Sequence, residues 1–359
     1  MIDWTKSMEQ TFEYYIVDPG TWKDVRLLKE IKSSSITREL SSDTLGSASF
    51  DTTELLGECY IRVYLIASQN GVTEKVPLGT YLVQTPSSSF DGRVHEFSLD
   101  AYTPLLELKE KKPNVGYSIR YQMDGVNKNI MKNAYLLTRE NVRAPVIETI
   151  DDKELENNFV ADPNDTWLNY ISDLISNAKY RFDINELGNI SFSKIEDVES
   201  MIPRWTFNDD NSSILLPEIT MNNDIYGIPN VVEIIYTNGR IHYEEIVENN
   251  DENSPVSIQN RGRRIVYREI DPNLTGIPTP LQIKQYAQDV LKKLSSIEYT
   301  ISYKHGYCPV RVGDCVRLNY SRAGIKDVKA RVISQNISCK SGCTVSEQAV
   351  FSTKLWKGV

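Results

Sequence analysis

The chain has 359 residues, of which 40% are hydrophobic and 25% are charged, close to the averages of globular proteins. Its length predicts about two to four domains, and its composition excludes a disordered or fibrous protein. The formal net charge of −9 at pH 7 excludes a general nucleic-acid binder, because an acidic surface repels the phosphate backbone.

The N-terminal residues 1–6 contain no basic region followed by an apolar run, so the sequence predicts no secretory signal. No stretch reaches the roughly 18 apolar residues that a membrane helix needs. We therefore expect synthesis and folding in a cytoplasm, with any export as part of an assembly. The negative charge suits simple solubility or, in such an assembly, a wall along which DNA slides without adhering.

The first hundred residues show short segments rich in β-branched and aromatic side chains, separated by turn residues. Asn70-Gly71 and Asp91-Gly92 are the clearest turns. Short strands at this spacing favour a barrel or a sandwich. The predicted strands cover residues 35–40, 48–51, 59–66, 76–83 and 94–99.

The middle of the chain changes character. Pro104 is suited to the first turn of a short helix over 105–111, and apolar spacing predicts a second helix over 125–138. Residues 151–165 are acidic and polar, and they indicate an exposed connection.

The clearest local unit follows. A helix that Asp162 or Asn164 would cap has one apolar face, formed by Trp167, Ile171, Leu174 and Ile175. Two alternating segments, 180–184 and 190–193, flank a turn in which Gly188 is free to take a positive φ. The pattern predicts a helix followed by a β-hairpin, which is a small α+β module.

The last third is again β-rich. A strand over 229–236 and a partner over 241–247 predict a hairpin, and residues 248–255 predict a polar loop. A breaker cluster at 276–280 precedes a helix with one apolar face over 281–294. The remaining predicted strands cover residues 299–303, 315–320, 329–335, 337–340 and 344–351.

Five cysteines raise the question of a metal site. An odd count without a secretory signal argues against a disulfide framework. The spacings C-x6-C and C-x3-C are not those of paired zinc knuckles, and no histidine lies between them. We interpret them as small buried residues on neighbouring strands and predict no metal, although the sequence leaves open a metal at Cys308, Cys315, Cys339 and Cys343.

The sequence contains no recognisable catalytic motif. His95, His242 and His305 lie in or beside predicted strands, and none has metal-ligand spacing. No H-E-x-x-H, G-x-S-x-G or phosphate-binding loop is present. We predict no catalytic residue and no cofactor. A carboxylate pair and a sugar site built on some of the 20 tyrosines both stay open. The basic cluster Arg261–Arg264 indicates a solvated loop or a contact with an acidic partner.

Three segments, in this order, resemble the hub proteins of phage-type tails. The first is T-W-L-N-Y-I-S-D-L at Thr166–Leu174, which runs into the hairpin over 180–190. The second is the helix Ile283–Leu294. The third is Cys308–Leu318, which fits the pattern P-x-x-x-G-D-x-V-x-L of a barrel strand and is continued by residues 330–335 and 341–344. Residues 34–50 also resemble the first hub barrel.

The resemblance implies a mainly β fold with an α+β insert, in which two β-barrel-like domains flank a small helix-plus-hairpin domain. It places an N-terminal ring domain over 1–112 and the insert over 113–200. A connection over 201–219 leads to a C-terminal ring domain over 220–359, which contains the helix 281–294. Gly313-Asp314 is then a structural turn, and Asp314 is not expected to be catalytic.

The resemblance also implies a function. The chain would be a non-enzymatic structural protein of a virion tail tip or baseplate, assembled in a bacterial cytoplasm. A homotrimer would form a ring that joins the tail tube, or a distal tail protein, to a separate spike, fibre or tape-measure protein. DNA would pass through its channel without specific binding. The sequence alone leaves two alternatives: a carbohydrate- or cell-wall-binding module, and a carboxylate-dependent hydrolase.

Overall fold

The protein is mainly β, with a few short helices, as the sequence predicts. None of the helices in the described part of the chain is long and apolar enough to cross a membrane. A computed structural model describes residues 2–121, 128–223, 226–239, 241–272 and 278–355.

The chain divides into two compact units. The first unit comprises Met1–Ile219 and Tyr303–Ala349, and the second comprises Thr220–Ser302 and Val350–Val359. The first unit therefore joins the N-terminal segment to residues 303–349, which are distant from it in sequence. The four-segment division expected from the sequence stays a prediction.

Seven N-terminal strands contain the five that the sequence predicts and two more, β1 and β2, that it does not. Residues 46–52 and 95–102 alternate between buried and more exposed side chains, which is the pattern of a sheet with one covered face, whereas residues 60–65 are buried throughout. The strands are β1 (Glu9–Val17), β2 (Asp24–Leu28), β3 (Ile31–Glu39), β4 (Gly46–Thr52), β5 (Tyr60–Gln69), β6 (Val72–Phe90) and β7 (His95–Tyr102).

The segment that follows, 103–204, begins ahead of the insert expected over 113–200 and contains, in its described residues, three α-helices and two antiparallel strand pairs. Its core is separate from that of the N-terminal strands and includes Leu108, Met131, Ile171 and Phe192. The elements are α1 (Leu106–Glu110), β8 (Ser118–Ile119), α2 (Ile130–Asn141), β9 (Phe159–Val160), α3 (Trp167–Ser176), β10 (Tyr180–Ile184) and β11 (Ile190–Lys194).

The rest of the chain is β with two further helices, and the helix predicted over 281–294 is present as α5. The elements are β12 (Trp205–Asn208), β13 (Leu215–Asn223), β14 (Val231–Asn238), β15 (Ile241–Glu248), α4 (Ile258–Arg261), β16 (Val266–Ile270), α5 (Pro280–Leu294), β17 (Ser296–Gly306), β18 (Cys315–Tyr320), β19 (Ile325–Ser338) and β20 (Thr344–Lys354).

One sheet joins the two ends of the chain. Its strand order is β13-β17-β20-β19-β3-β4-β7-β6-β5-β1-β2, with β18 on the side of β19 and β12 beside β18. Ile337 of β19 pairs with Ile36 of β3 in antiparallel register. Cys339, Cys343 and Val345 are buried in the same core as the N-terminal strands. In the ranges that the structure describes, no strand pairing closes this sheet into a barrel.

The second unit has its own small core. Strands β15, β14 and β16 form a three-stranded sheet, with β16 parallel to β14. Helix α5 packs its apolar face, which includes Ile283, Ala287 and Leu291, against Val232 and Ile234 of β14. A Thr279–Gln282 capping box and Pro280 begin the helix.

Several local predictions need correction. The cap of α3 is Thr166, whose hydroxyl accepts the backbone N–H of Asn169, and neither Asp162 nor Asn164. The strands predicted over 329–335 and 337–340 are one strand, β19. Helix α2 begins at Ile130, whereas residues 125–127 of the predicted helix lie outside the described part of the chain. The breaker residues 276 and 277 also lie outside it.

Candidate functional site

Of the cysteines and histidines that the sequence singles out, Cys308 and His305 lie close together, with 3.8 Å between Sγ and Nδ1, and the others described below lie apart from them. Cys339 and Cys343 lie in the core of the first unit, Cys315 is buried on β18, and all five thiols are free. His95 and His242 are exposed on separate strands. Within the described ranges, no group of three or more His, Cys, Asp or Glu side chains is arranged to hold a metal ion.

A buried polar cluster surrounds Glu347 of β20. Glu347 is 2% exposed and His305 is fully buried. One carboxylate oxygen accepts the hydroxyl of Tyr303. The other lies 2.6 Å from Gln335 Nε2 and 3.4 Å from His305 Nε2. We call Tyr303, His305, Gln335 and Glu347 the Glu347 cluster. It ties β17, β19 and β20 together by side-chain hydrogen bonds.

Cys308 adds a thiol to this cluster. Its sulfur lies 3.8 Å from His305 Nδ1, so the order thiol, imidazole, carboxylate is that of a nucleophile with its base. Burial raises the pKa of the Cys308 thiol well above its ordinary value, and the side chain is 2% exposed. A protonated thiol that no substrate can reach does not act as a nucleophile. The cluster therefore satisfies buried polar groups and stabilises the sheet.

This cluster was not predicted from the sequence, although one signal for it is present there. Val345, Glu347 and Ala349 occupy the buried positions of an alternating strand, and so do Tyr303 and His305. A charged residue in the buried phase of a strand needs partners in the core. That pattern indicates a buried polar network without identifying its members.

The tip of the β10–β11 hairpin is held against the main sheet of the first unit. The indole N–H of Trp22 donates to the carbonyl of Leu187 over 2.7 Å, and Arg62 Nη2 donates to the same carbonyl over 3.0 Å. Thr80 Oγ1 donates to the carbonyl of Glu186 over 3.2 Å. Gly188 has a φ of +78°, as the turn prediction requires, and a Cβ there would lie 2.8 Å from the Cβ of Thr80.

Salt bridges hold the other side of the same hairpin tip. Arg311 Nε lies 2.9 Å from Glu186 Oε1, and Arg38 Nη2 lies 3.6 Å from the same oxygen. Arg311 Nη2 also contacts Asp183 Oδ1 over 3.2 Å and donates to the carbonyl of Ile184 over 2.6 Å. Burial by itself lowers the pKa of Arg38. The negative charge of Glu186, with further interactions, has the larger combined effect, so the pKa of Arg38 lies above its ordinary value. The hairpin is thus fixed from two directions.

The Gly313-Asp314 turn lies beside this hairpin. Asp314 Oδ2 accepts the backbone N–H of Arg311 over 2.9 Å, and Gly313 N–H donates to the carbonyl of Val332 over 2.7 Å. Burial raises the pKa of the Asp314 carboxyl. Gly313 has a φ of +98°, which favours glycine. The carboxylate supports the turn that leads into β18.

A cavity of about 310 Å³ lies between the hairpin and this turn. Arg181, Ser193 and Lys194 of the hairpin line one part of it, and Arg311 and Gly313 line another. We call it the hairpin cavity. Every residue that lines it belongs to the first unit.

The other predicted candidates are dispersed. Arg261 ends α4 and donates to the carbonyl of Ile228, and Arg264 pairs with Glu248 over 2.5 Å. The basic cluster is therefore partly used within the second unit. Ten of the 20 tyrosines are buried and contribute to core packing, so they are not available for a sugar site at the surface. They are Tyr14, Tyr60, Tyr64, Tyr81, Tyr170, Tyr180, Tyr236, Tyr303, Tyr307 and Tyr320.

Comparison with solved structures gives full-length matches. A tail protein from Neisseria meningitidis matches with a TM-score of 0.64 and 10% identity, over 95% of this chain and 97% of that chain. A 43 kDa prophage tail protein from Shewanella oneidensis matches with a TM-score of 0.61 and 11% identity, over 96% and 98% of the two chains.

A chain of the Francisella PdpA–VgrG complex matches with a TM-score of 0.57 and 8% identity, over 96% of this chain and 53% of that chain. No protein-family model matches the sequence, and no curated protein matches it either. At these identities the similarity shows a common fold.

Proposed function

We propose that this chain, which has the fold of phage tail proteins, is a non-catalytic hub subunit of a phage-type tail tip. Three copies would form a ring that lines the channel for DNA, binds the tail tube or a distal tail protein, and holds a separate spike, fibre or tape-measure protein. The location would be the virion tail tip, after synthesis in the bacterial cytoplasm.

The observation that carries this proposal is the extent of the shared fold. The match to the Neisseria tail protein covers 95% of this chain and 97% of the other, so one architecture accounts for both proteins nearly end to end. A fold by itself does not fix a function. The buried Glu347 cluster adds support. Its thiol, imidazole and carboxylate resemble a catalytic set, but they are buried and hydrogen-bond strands of the sheet to one another.

Strand β2 offers a surface for assembly. It is the last strand in the order of the main sheet, and within the described ranges only β1 pairs with it. Val25 is 61% exposed and lies at a bulge, and Leu27 is also exposed. An open strand edge with apolar side chains favours pairing with another chain. We therefore place a subunit contact at β2, with a second copy as its occupant.

The test is the oligomeric state and shape of the purified chain. Light scattering should give three times the 41.0 kDa chain mass, and electron-microscope images should show a ring with a central channel. A closed ring satisfies its interfaces by symmetry. A stable monomer at micromolar concentration that also fails to assemble with the tube protein would contradict the proposal.

A double variant tests the position of the contact. The double variant Val25→Lys, Leu27→Lys should shift the chain toward monomer. The free-energy cost of burying two charges at an apolar interface exceeds the stabilisation that the contact provides. Val115→Lys is the matched control, since Val115 is 88% exposed and lies outside the strands. If the double variant still forms the wild-type oligomer, the contact lies elsewhere while the hub proposal stands.

A further inference from the structure

Two arginines beside the hairpin cavity have no carboxylate partner among the described residues. Arg181 is half-buried, and its guanidinium donates from Nε to Ser193 Oγ over 3.2 Å. Arg331 donates to the carbonyl of Glu196 and contacts the sulfur of Met201. Neither guanidinium forms an ion pair with any residue that the structure describes, although the chain carries an excess of acidic residues.

The two guanidinium groups are close enough to repel each other. Burial lowers the pKa of Arg181, and the positive charge of Arg331 lowers it further, while Asp183 offsets part of this. Arg331 is not among the lining residues, but its contacts Glu196 and Met201 both line the cavity. The Nε of Arg331 is buried without a hydrogen-bond partner. Leaving such groups buried and unpaired costs free energy.

The acidic groups of the cavity neutralise this charge only in part. Asp183 and Glu186 are paired with Arg311. Asp314 accepts the backbone N–H of Arg311, so its carboxylate is engaged in the turn. The exposed charges of Lys194 and Glu196 at the wall are of opposite sign and offset each other.

Gly313 keeps this part of the cavity open for Arg181. A Cβ at position 313 would lie 2.8 Å from Arg181 Nη2, closer than atoms pack. The guanidinium therefore lies directly over the glycine backbone of the turn. Any side chain at 313 would displace the guanidinium from its place at the cavity wall.

We propose that the hairpin cavity binds an oxyanion, a carboxylate or a phosphate, on the guanidinium of Arg181. The planar fork of arginine donors matches both kinds of oxyanion. The cavity of about 310 Å³ accepts a small molecule or a single acidic side chain. A bound oxyanion supplies a counter-charge to Arg181, which has no ion-pair partner among the described residues. This inference stands whether or not the chain assembles into a ring.

The experiment is a thermal-unfolding titration of the full chain with sodium phosphate and with sodium acetate. Sodium chloride keeps the ionic strength constant, which removes general screening. The midpoint should rise and saturate with phosphate, acetate or both, because a ligand of the folded state stabilises it. Saturation with phosphate alone identifies a phosphate site, and saturation with both identifies a general oxyanion site. No saturable response to either anion overturns the proposal.

Variants locate the site. Arg181→Gln should bind the responding anion about tenfold to a hundredfold more weakly, as expected for the loss of a charge-assisted hydrogen bond. In chloride alone its midpoint should equal or exceed that of wild type, because the repulsion is gone. Arg93→Gln is the control, since Arg93 is exposed on the β6–β7 turn.

Arg331→Gln gives a second test if Arg181→Gln does not fold. It removes the neighbouring positive charge and the buried unpaired Nε, so the anion response should weaken as well. An undiminished response in the Arg181→Gln variant overturns the proposal. If that variant does not fold, an undiminished response in Arg331→Gln does so.

Discussion

Replacing Glu347 by leucine tests the Glu347 cluster most directly. The change leaves the Tyr303 hydroxyl without its acceptor and removes the polar contact of His305 Nε2, whereas Gln335 Nε2 keeps the carbonyl of Val310 at 3.0 Å. Each buried polar group that loses its partner costs about 1–3 kcal/mol. The two groups together predict a loss of about 4 kcal/mol in the free energy of unfolding. This agrees with the cost of about 3–5 kcal/mol for removing one partner of a buried pair.

The assay is urea-induced unfolding followed by tryptophan fluorescence. Four of the five tryptophans lie in the segments of the first unit, so the signal reports on the unit that contains the cluster. The midpoint should fall by about 1 M or more with an unchanged slope. Glu347→Gln, which keeps one acceptor oxygen, should lose less.

Gln348→Leu is the matched control, because Gln348 is the exposed neighbour on the same strand. Its effect should stay within about 0.5 kcal/mol. If Glu347→Leu is as mild as Gln348→Leu, the cluster does not stabilise the sheet and the reasoning fails.

Three further predictions concern single positions. Burial raises the pKa of Tyr81 to about 12, whereas the phenol of the unfolded chain ionises near pH 10. Between these two pH values the contribution of Tyr81 to the free energy of unfolding falls by about 1.4 kcal/mol per pH unit. Tyr81→Phe should therefore make the pH dependence of stability less steep in alkaline unfolding curves. Cys308 should resist a thiol reagent at pH 8 until the chain unfolds, because burial keeps its thiol protonated and inaccessible; rapid labelling of folded protein would disprove this. Gly188→Ala should lower the free energy of unfolding in urea by about 2 kcal/mol more than Gly71→Ala, since both glycines have a positive φ but only Gly188 has close neighbours. Equal losses in the two variants would show that the hairpin tip shifts to accommodate the added methyl group.

Local patterns predict the parts of this fold whose information is local. The β10–β11 hairpin follows from alternation and one glycine, and α5 follows from its apolar face. Strand β1 was not predicted, because Tyr14 and Tyr15 face opposite sides of the sheet and so obscure the alternation of apolar and polar residues. Strand β16 is mostly exposed and forms by parallel pairing with β14, a contact that no local pattern encodes.

The sites depend on contacts that are distant in sequence. Arg38 and Arg311 meet at Glu186, and each comes from a separate part of the chain. The motif around Gly313-Asp314 correctly marked a turn, but it carried no information about the arginine that lies over the glycine. Charge pairing in a cleft requires the tertiary fold, so composition and spacing alone could not have identified the hairpin cavity.

The pairing of β19 with β3 has a consequence for biosynthesis. The side chains of Asn336 and Thr37 are hydrogen-bonded although they lie 299 positions apart in the sequence. At about 5–20 residues per second, the ribosome needs roughly 15–60 s to make the chain between them. During that interval the growing chain carries β3 with one side of its backbone unpaired. The first unit therefore cannot complete its sheet until β19 has been made, and slow contacts of this kind expose a nascent chain to aggregation.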